Sequence, residues 1–253
     1  MKIIAITQAR TGSTRLPGKV LKEINGTTLL ELHIRRILKS KMIDDLIIAT
    51  TEKEEDKVIT EIAKKLNQNS YRGSVDDVLD RFYQSLNDKN PDYVVRLTSD
   101  CPLIDAELID KIIQFTIDHN LDYCSNTLSP TYPDGEDVEV FRYAALEKAW
   151  KEARLTSERE HVTPYIWKNS TFKGGTEFIS DNFEEGYLCG HLRLTVDEPD
   201  DFVLISNLVS AIGSDKTWLD YANYLEGNRE IKSINSSITR NEGYSKSIKK
   251  EDK

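Results

Sequence analysis

The chain has 253 residues, 38% of them hydrophobic and 30% charged, with a net charge of −9. That is long enough for one large α/β domain, or one domain with a small appendage, and apolar enough to bury a core. The acidic balance argues against a nucleic-acid-binding surface, and no apolar run approaches the roughly eighteen residues of a membrane span. Cys101, Cys124 and Cys189 stand far apart without a C-x-x-C pair, which points to a reducing cytosol and away from a disulfide framework or zinc site. A strand is expected directly after Met1, so no signal peptide is expected and the protein is placed in the cytoplasm.

Ile3-Ile4-Ala5-Ile6 reads as a strand buried on both faces, the central strand of a parallel sheet. The loop after it carries Gly12 and Gly18 and the cations Arg10, Arg15 and Lys19. Glycine lets backbone N–H groups turn toward an anion, and the cations can neutralise it. Such a loop at the carboxyl end of a first strand is where an open α/β sheet binds phosphate. It is not a P-loop, because five residues separate the glycines and Val20 follows Lys19, and G-x-G-x-x-G is absent. The alternative is a solvated basic loop.

Further along, Asn25-Gly26 marks a turn and Thr27 or Thr28 can cap a helix to about Ser40. A second buried strand over 46–50 and a helix over 54–66 complete a β-α-β-α pattern, the mark of a parallel sheet with right-handed crossovers. A short strand end at 70–73 leads to a helix over 75–86, for which Ser74 is the expected cap. A strand over 92–97 runs into Thr98-Ser99-Asp100-Cys101-Pro102, followed by a helix from Asp105 to about His119 and a strand over 121–125. Residues 129–135 read as a loop and 137–141 as a strand. Helices are expected over 144–154 and 157–168, the second kinked or restarted at Pro164. Strands over 173–179 and 191–196 precede a helix to about Ile212 and a last turn or two over 218–225. From Asn228 the chain is polar and a loosely ordered tail is expected.

Asp100 and Asp197 each follow an expected strand, and each is near a proline. Carboxylates at two strand ends can converge on the first loop and, beside a triphosphate, hold Mg²⁺. The alternative is that each caps a helix. His161 has no second histidine four residues away, so no paired-imidazole zinc motif is present. It is a structural residue or, with Glu160, part of an acceptor site. Tyr132, Asp134 and His191 are polar residues of loops or strand ends, and Arg193 is better placed, on the strand leading to Asp197. No G-x-S-x-G elbow and no Cys/His nucleophile signature is present.

The run Ala9-Arg10-Thr11-Gly12-Ser13-Thr14-Arg15-Leu16-Pro17-Gly18-Lys19 resembles the A-R-x-x-S-x-R-L-P-x-K signature of the sugar cytidylyltransferases, such as the CMP-Kdo and CMP-sialate synthetases. The segments 73–79, 97–105, 160–165 and 193–197 look like the branch named after spore-coat polysaccharide biosynthesis protein F, and the resemblance covers about residues 1–225. It implies a Rossmann-like nucleotide-diphosphosugar-transferase fold: α/β, a mostly parallel mixed sheet with helices on both faces. It implies one domain over 1–227, with an inserted acceptor and dimerisation region at about 128–190, and a polar tail over 228–253. It implies CTP as donor, Mg²⁺ on Asp100 and Asp197, and a homodimer. Gln8, Ala9, Gly12, Ser13 and Thr98 would bind the nucleotide, with Arg72, Gly73 and Ser74 reading the base. Arg10, Arg15, Lys19 and Asp100 would serve catalysis, and Tyr132, Asp134, Glu160, His161 and Arg193 the acceptor.

The function expected is CMP transfer from CTP to an acidic sugar or sugar phosphate, with release of pyrophosphate, in surface polysaccharide or glycoconjugate synthesis. A glycosyltransferase of the same fold would want an Asp-x-Asp metal motif, and here Asp100 is followed by Cys101-Pro102. A non-catalytic nucleotide-binding protein is the other alternative.

Overall fold

The three isoleucines of the first apolar run form β1 (Ile3–Gln8), which is buried along almost its whole length. Alternate side chains serve opposite faces, as strand geometry requires: Ile3 and Ala5 join one apolar cluster, Ile4 and Ile6 the other. The computed structural model describes residues 1–240 together with Tyr244, Ser247 and Ile248. After β1 come a two-residue hairpin, β2 (Glu23–Ile24) and β3 (Thr27–Thr28), and then α1 (Leu29–Ile37). Thr28 caps α1 in a reciprocal box with Glu31.

Next are β4 (Asp45–Thr51), a 3-10 turn over Glu54–Asp56, α2 (Lys57–Lys65), β5 (Asn69–Gly73), α3 (Val78–Ser85), β6 (Tyr93–Thr98) and α4 (Ala106–Asp118). Then follow β7 (Tyr123–Ser125), β8 (Glu139–Arg142), α5 (Tyr143–Glu152), α6 (Thr156–His161), α7 (Pro164–Lys168) and β9 (Ser180–Asn182). The described chain closes with α8 (Pro199–Ile212), α9 (Trp218–Gly227) and α10 (Arg229–Ser233).

The main sheet has the order β5-β4-β1-β6-β8-β7-β9. The first four strands are parallel, β8 is antiparallel to β6 and β7, and β9 is parallel to β7. The expected mixed, mostly parallel sheet with helices on both faces is present. Gln8 pairs with Ala49 on one side and Thr98 on the other, so β1 and β6 end side by side.

Several boundaries differ from the sequence reading. α3 starts at Val78, capped by Asp77, whose Oδ1 accepts from the Asp80 N–H at 2.9 Å; Ser74 Oγ instead accepts from the Asp77 N–H. Residues 191–196 are extended but form no ladder, only one bridge from Arg193 to Asp134. The strand expected over 173–179 is reduced to one parallel bridge between Phe178 and Ser170 after a 3-10 turn at Thr171–Lys173, and ladder pairing begins at β9. The break at Pro164 is a full interruption: Val162, fully buried, has φ 73 and ψ −56, and the Thr163 N–H reaches the His161 carbonyl at 2.9 Å. That is a γ-turn of the rare, strained hand.

The loosely ordered tail is not what residues 228–240 form. They include α10, and Asn235, 3% exposed, donates to the Arg193 carbonyl and to Asp201. Of the rest of that expected tail, only Tyr244, Ser247 and Ile248 lie among the described residues.

Candidate active site

A cavity of about 960 Å³ opens where β1 and β6 end. Gln8, Ala9, Arg10, Ser13, Arg15 and Lys19 line it from the first loop, and Thr98 and Asp100 from the end of β6. This is the crevice beyond the carboxyl ends of parallel strands where open α/β sheets take ligands. The loop is folded by Thr11, whose carbonyl accepts the Ser13 and Gly18 N–H groups at 2.8 and 3.0 Å. Gly18 sits at φ 65, a left-handed conformation that costs glycine nothing, and it launches the turn carrying Lys19.

Lys19 joins the two aspartates. Its ammonium donates to Asp100 Oδ2 at 3.2 Å and to Asp197 Oδ1 at 2.7 Å. Arg15 reaches Asp197 Oδ2 at 3.1 Å and Glu198 Oε1 at 3.2 Å. Burial acts to raise the Asp100 carboxyl, but the Lys19 ammonium and the Thr98 hydroxyl outweigh it and hold it well below the usual carboxylate range. Neither aspartate caps a helix: Asp105 caps α4, and at α8 Glu198 and Asp201 form the capping box.

Asp197 arrives by a route other than a sheet strand. The Val196 N–H donates to the Asp100 carbonyl at 2.8 Å, and the Leu194 and Thr195 N–H groups both reach the Asp134 carbonyl. Gly135 permits this approach, since a Cβ there would lie 2.5 Å from the Thr195 nitrogen.

His33 steadies the other aspartate's turn from below. Its Nδ1 lies 2.8 Å from the Cys101 carbonyl, an acceptor only, so the ring proton sits on Nδ1, and Nε2 accepts the Thr7 hydroxyl at 2.8 Å. Burial pushes this imidazole down to about 4, leaving it neutral.

The opposite end of the cavity is a side-chain network. Arg193 Nη1 meets Asp134 Oδ2 at 2.5 Å, its Nε and Nη2 clamp Asp201 at 2.8 and 2.9 Å, and its Nη2 reaches Asp197 at 3.4 Å. Arg240 crosses from the chain's end to Asp137 at 2.5 Å and Asp134 at 3.8 Å. Arg96 pairs with Glu139, its register partner on β8, and Glu139 also accepts the Tyr123 and Thr163 hydroxyls. His161 Nε2 lies 3.1 Å from Ser247 Oγ, which donates to Glu160 at 2.9 Å, and the Tyr244 ring stands edge-on to His161.

Of the residues singled out from sequence, Asp134, Glu160, His161, Arg193 and Asp197 also line the cavity. Gly12, Arg72, Gly73, Ser74 and Tyr132 are absent from its lining. The Arg72 guanidinium is committed to the carbonyls of Thr51, Glu52 and Lys53, Ser74 to the turn before α3, and Gly73 is packed under Tyr71 and Arg81. Tyr132 is fully buried among aromatic rings, with its hydroxyl on Glu185.

The sequence reading missed Arg81, Arg96, Asp137, Glu139 and Tyr244, all of which line the cavity. Arg96 carried a signal, a charge inside the otherwise apolar run of β6. Arg81 is 3% exposed, its Nε has no partner among the described residues, and burial together with the nearby Arg10 charge pushes its guanidinium down to about 10. Gln8 Oε1, also buried, likewise has no partner there.

Among the described residues no three His, Cys, Asp or Glu side chains gather as a metal cage. Two convergent carboxylates suit Mg²⁺ all the same, because it takes one or two carboxylates and completes its shell with substrate phosphates and water.

The family model described as Cytidylyltransferase matches residues 4–209. An uncharacterised protein of Methanocaldococcus jannaschii is 42% identical over 94% of this chain and 96% of its own. The spore coat polysaccharide biosynthesis protein SpsF of Bacillus subtilis is 35% identical over 83% of this chain and 88% of its own. A solved cytidylyltransferase from Leptospira borgpetersenii superposes with a TM-score of 0.86 at 32% identity, covering 94% of this chain and 98% of that one. The chain therefore belongs to the cytidylyltransferase family, and it is a nucleotidyltransferase.

Proposed function

We propose that the protein transfers CMP from CTP to an acidic sugar or sugar phosphate and releases pyrophosphate, in the synthesis of a surface polysaccharide or glycoconjugate. The observation that carries this is the Lys19 ammonium between Asp100 and Asp197, beside a loop that also presents Arg10 and Arg15. An acceptor oxygen attacks the α-phosphorus in line, and pyrophosphate leaves. Arg10, Arg15 and Lys19 neutralise the β- and γ-phosphates, so the leaving group departs with its charge matched. Mg²⁺, held by Asp100 and Asp197, would polarise the α-phosphate. Gln8 Oε1 offers an acceptor for a donor on the nucleoside. No protein nucleophile is needed.

The base lies toward Val75, Asp76 and Arg81, next to the segment 72–74 that the family signature implicates. The acceptor lies against Asp134, Glu160, His161 and Arg193, with Tyr244 and Ser247 closing that end. The region 128–190 also supplies a homodimer contact. Leu155, Phe172, Ile179 and Leu188 are exposed large apolar side chains within it, Leu188 at 82%. No helix of the described residues is long and apolar enough to cross a membrane. The test is a thermal-shift ranking of CTP, UTP, ATP and GTP, with pyrophosphate release across a panel of acidic sugars and sugar phosphates. CTP first, and release only with an acidic acceptor, is the expected result. A purine triphosphate first, or consumption of a nucleotide sugar in place of CTP, overturns it.

A further inference from the structure

We propose that Asp56 is a positioning residue that sets the geometry of the phosphate-binding loop through Thr11; the proposal rests on reading that loop as the triphosphate site. Asp56 ends the 3-10 turn after β4, is 1% exposed, and is not part of the cavity lining. Its Oδ1 accepts both the N–H and the hydroxyl of Thr11, each at 2.7 Å. Its other oxygen accepts the Thr51 hydroxyl. No cation lies within ion-pair distance of it among the described residues, so a buried carboxylate is held mainly by hydrogen bonds. Burial acts to raise its pKa, and the Thr51 and Thr11 bonds, with help from the Lys53 charge, more than reverse that.

Thr11 is the hub that passes this anchoring on. Its N–H and hydroxyl go down to Asp56, and its carbonyl accepts Ser13 and Gly18. The chain from Thr11 to Gly18 is thereby closed into a ring, with Arg10 at its entry, Arg15 on it and Lys19 at its exit. Gly12, Thr14 and Pro17 of that ring are exposed, and Leu16 is the one ring residue packed into the core. Exposed loops are mobile unless tied to the scaffold, and a charge-neutralising group works only when its placement is held to a fraction of an ångström. The tie runs from the loop to the end of β4, the neighbour of β1 in the sheet. The loop's cations are thus referenced to β4, which lies between β1 and β5 in the sheet.

An amide replaces the carboxylate poorly. Its oxygen can take the Thr11 donors, but without the negative charge, and its NH₂ needs the Thr51 hydroxyl to turn from donor to acceptor at an oxygen that already accepts the Lys53 N–H. The test is calorimetry of wild type, Asp56→Asn, Thr11→Val, Thr11→Ser and Thr51→Val with inorganic triphosphate, CTP and CMP. Asp56→Asn and Thr11→Val should weaken triphosphate and CTP by about tenfold, the scale of one charge-assisted hydrogen bond, and CMP far less. Thr11→Ser, which keeps both donors, should restore wild-type affinity. Thr51→Val should lower the melting temperature and leave the triphosphate-to-CMP ratio nearer wild type. Equal losses for CTP and CMP, no loss at all, or Thr11→Ser behaving like Thr11→Val overturns the proposal. A wild type that binds triphosphate and not CTP would sink the base reading, with the triphosphate arm still deciding the role of Asp56.

Discussion

At the end of the cavity proposed to take the nucleotide, Gln8 and Thr98 stand on neighbouring strands in fixed register, with Asp100 two residues beyond. At the end proposed to take the acceptor, Asp134, Glu160, His161 and Arg193 come from a loop, a short helix and an extended segment that one bridge joins to its neighbour. Ladder hydrogen bonds place the first set. The second is placed by ion pairs between side chains, all but Arg193–Asp201 far apart in sequence: Arg193 with Asp134 and Asp201, Arg240 with Asp137, Arg96 with Glu139. A substitution at the nucleotide end should therefore change chemistry with little loss of fold. One in the Arg193 network should cost both, because truncating one partner strands a buried charge.

The sharpest way to break this contrast is at the two aspartates. Asp100→Asn or Asp197→Asn should lower turnover on the order of a hundredfold or more, with a small change in melting temperature for Asp100→Asn and a larger one for Asp197→Asn, which also touches Arg193. The double substitution should cost far less than the product of the two, since both serve one centre. Fully multiplicative losses in kcat would separate them. Arg193→Ala should instead lower the urea midpoint strongly along with activity, and an unperturbed midpoint would remove the network from the acceptor end.

His33 tests whether the Asp100 turn depends on a buried neutral ring. The unfolded imidazole takes a proton below its ordinary value of 6.5, and the folded one only near about 4. Between those values the unfolded state binds more protons, so stability falls as pH drops from about 6.5 toward 4, by at most about 3 kcal/mol from this group. Urea midpoints at pH 7, 5.5 and 4.5 should show this loss in wild type, and a smaller pH-dependent loss in His33→Gln. The same slope in both would assign the effect elsewhere.

Smaller effects fall on the loop cations and the acceptor wall. Lys19→Ala leaves Asp100 and Asp197 facing each other, and with Arg15→Ala it should weaken CTP binding by about tenfold, more than CMP. Equal losses by calorimetry would place those side chains away from the β- and γ-phosphates. His161→Asn and Tyr244→Ala should raise the acceptor KM about severalfold, with CTP affinity unchanged. A matching fall in CTP affinity would end the division of the cavity into two sites.

That the first loop and the end of β6 meet in one cavity was legible because the signals are local. An isoleucine run, a loop with two glycines and three cations, and an aspartate after a second buried strand each show in a few adjacent residues. Asp197 was found with only half the right reason, since segment 191–196 joins no ladder and is held by the carbonyls of Asp100 and Asp134. Arg240 was hidden because a polar terminal stretch gives no sign of the buried carboxylates it will meet. Asp56 was hidden for a similar reason: among Glu54, Glu55 and Asp56 nothing in sequence marks which one turns inward to Thr11. Tyr132 misled in the opposite way, its hydroxyl suggesting a ligand contact while its ring fills a fully buried aromatic cluster.

The most direct measurement is ³¹P NMR of CTP incubated with the protein, Mg²⁺ and a panel of acidic sugars and sugar phosphates. With one class of acceptor, the α-phosphorus of CTP should move into a new resonance, a phosphodiester for an acidic sugar or a diphosphate for a sugar phosphate, as an equal amount of free pyrophosphate appears. Asp100→Asn should slow both changes together, on the order of a hundredfold or more. Pyrophosphate accompanied only by CMP, or an intact CTP spectrum across the whole panel while a nucleotide sugar is consumed, would contradict it.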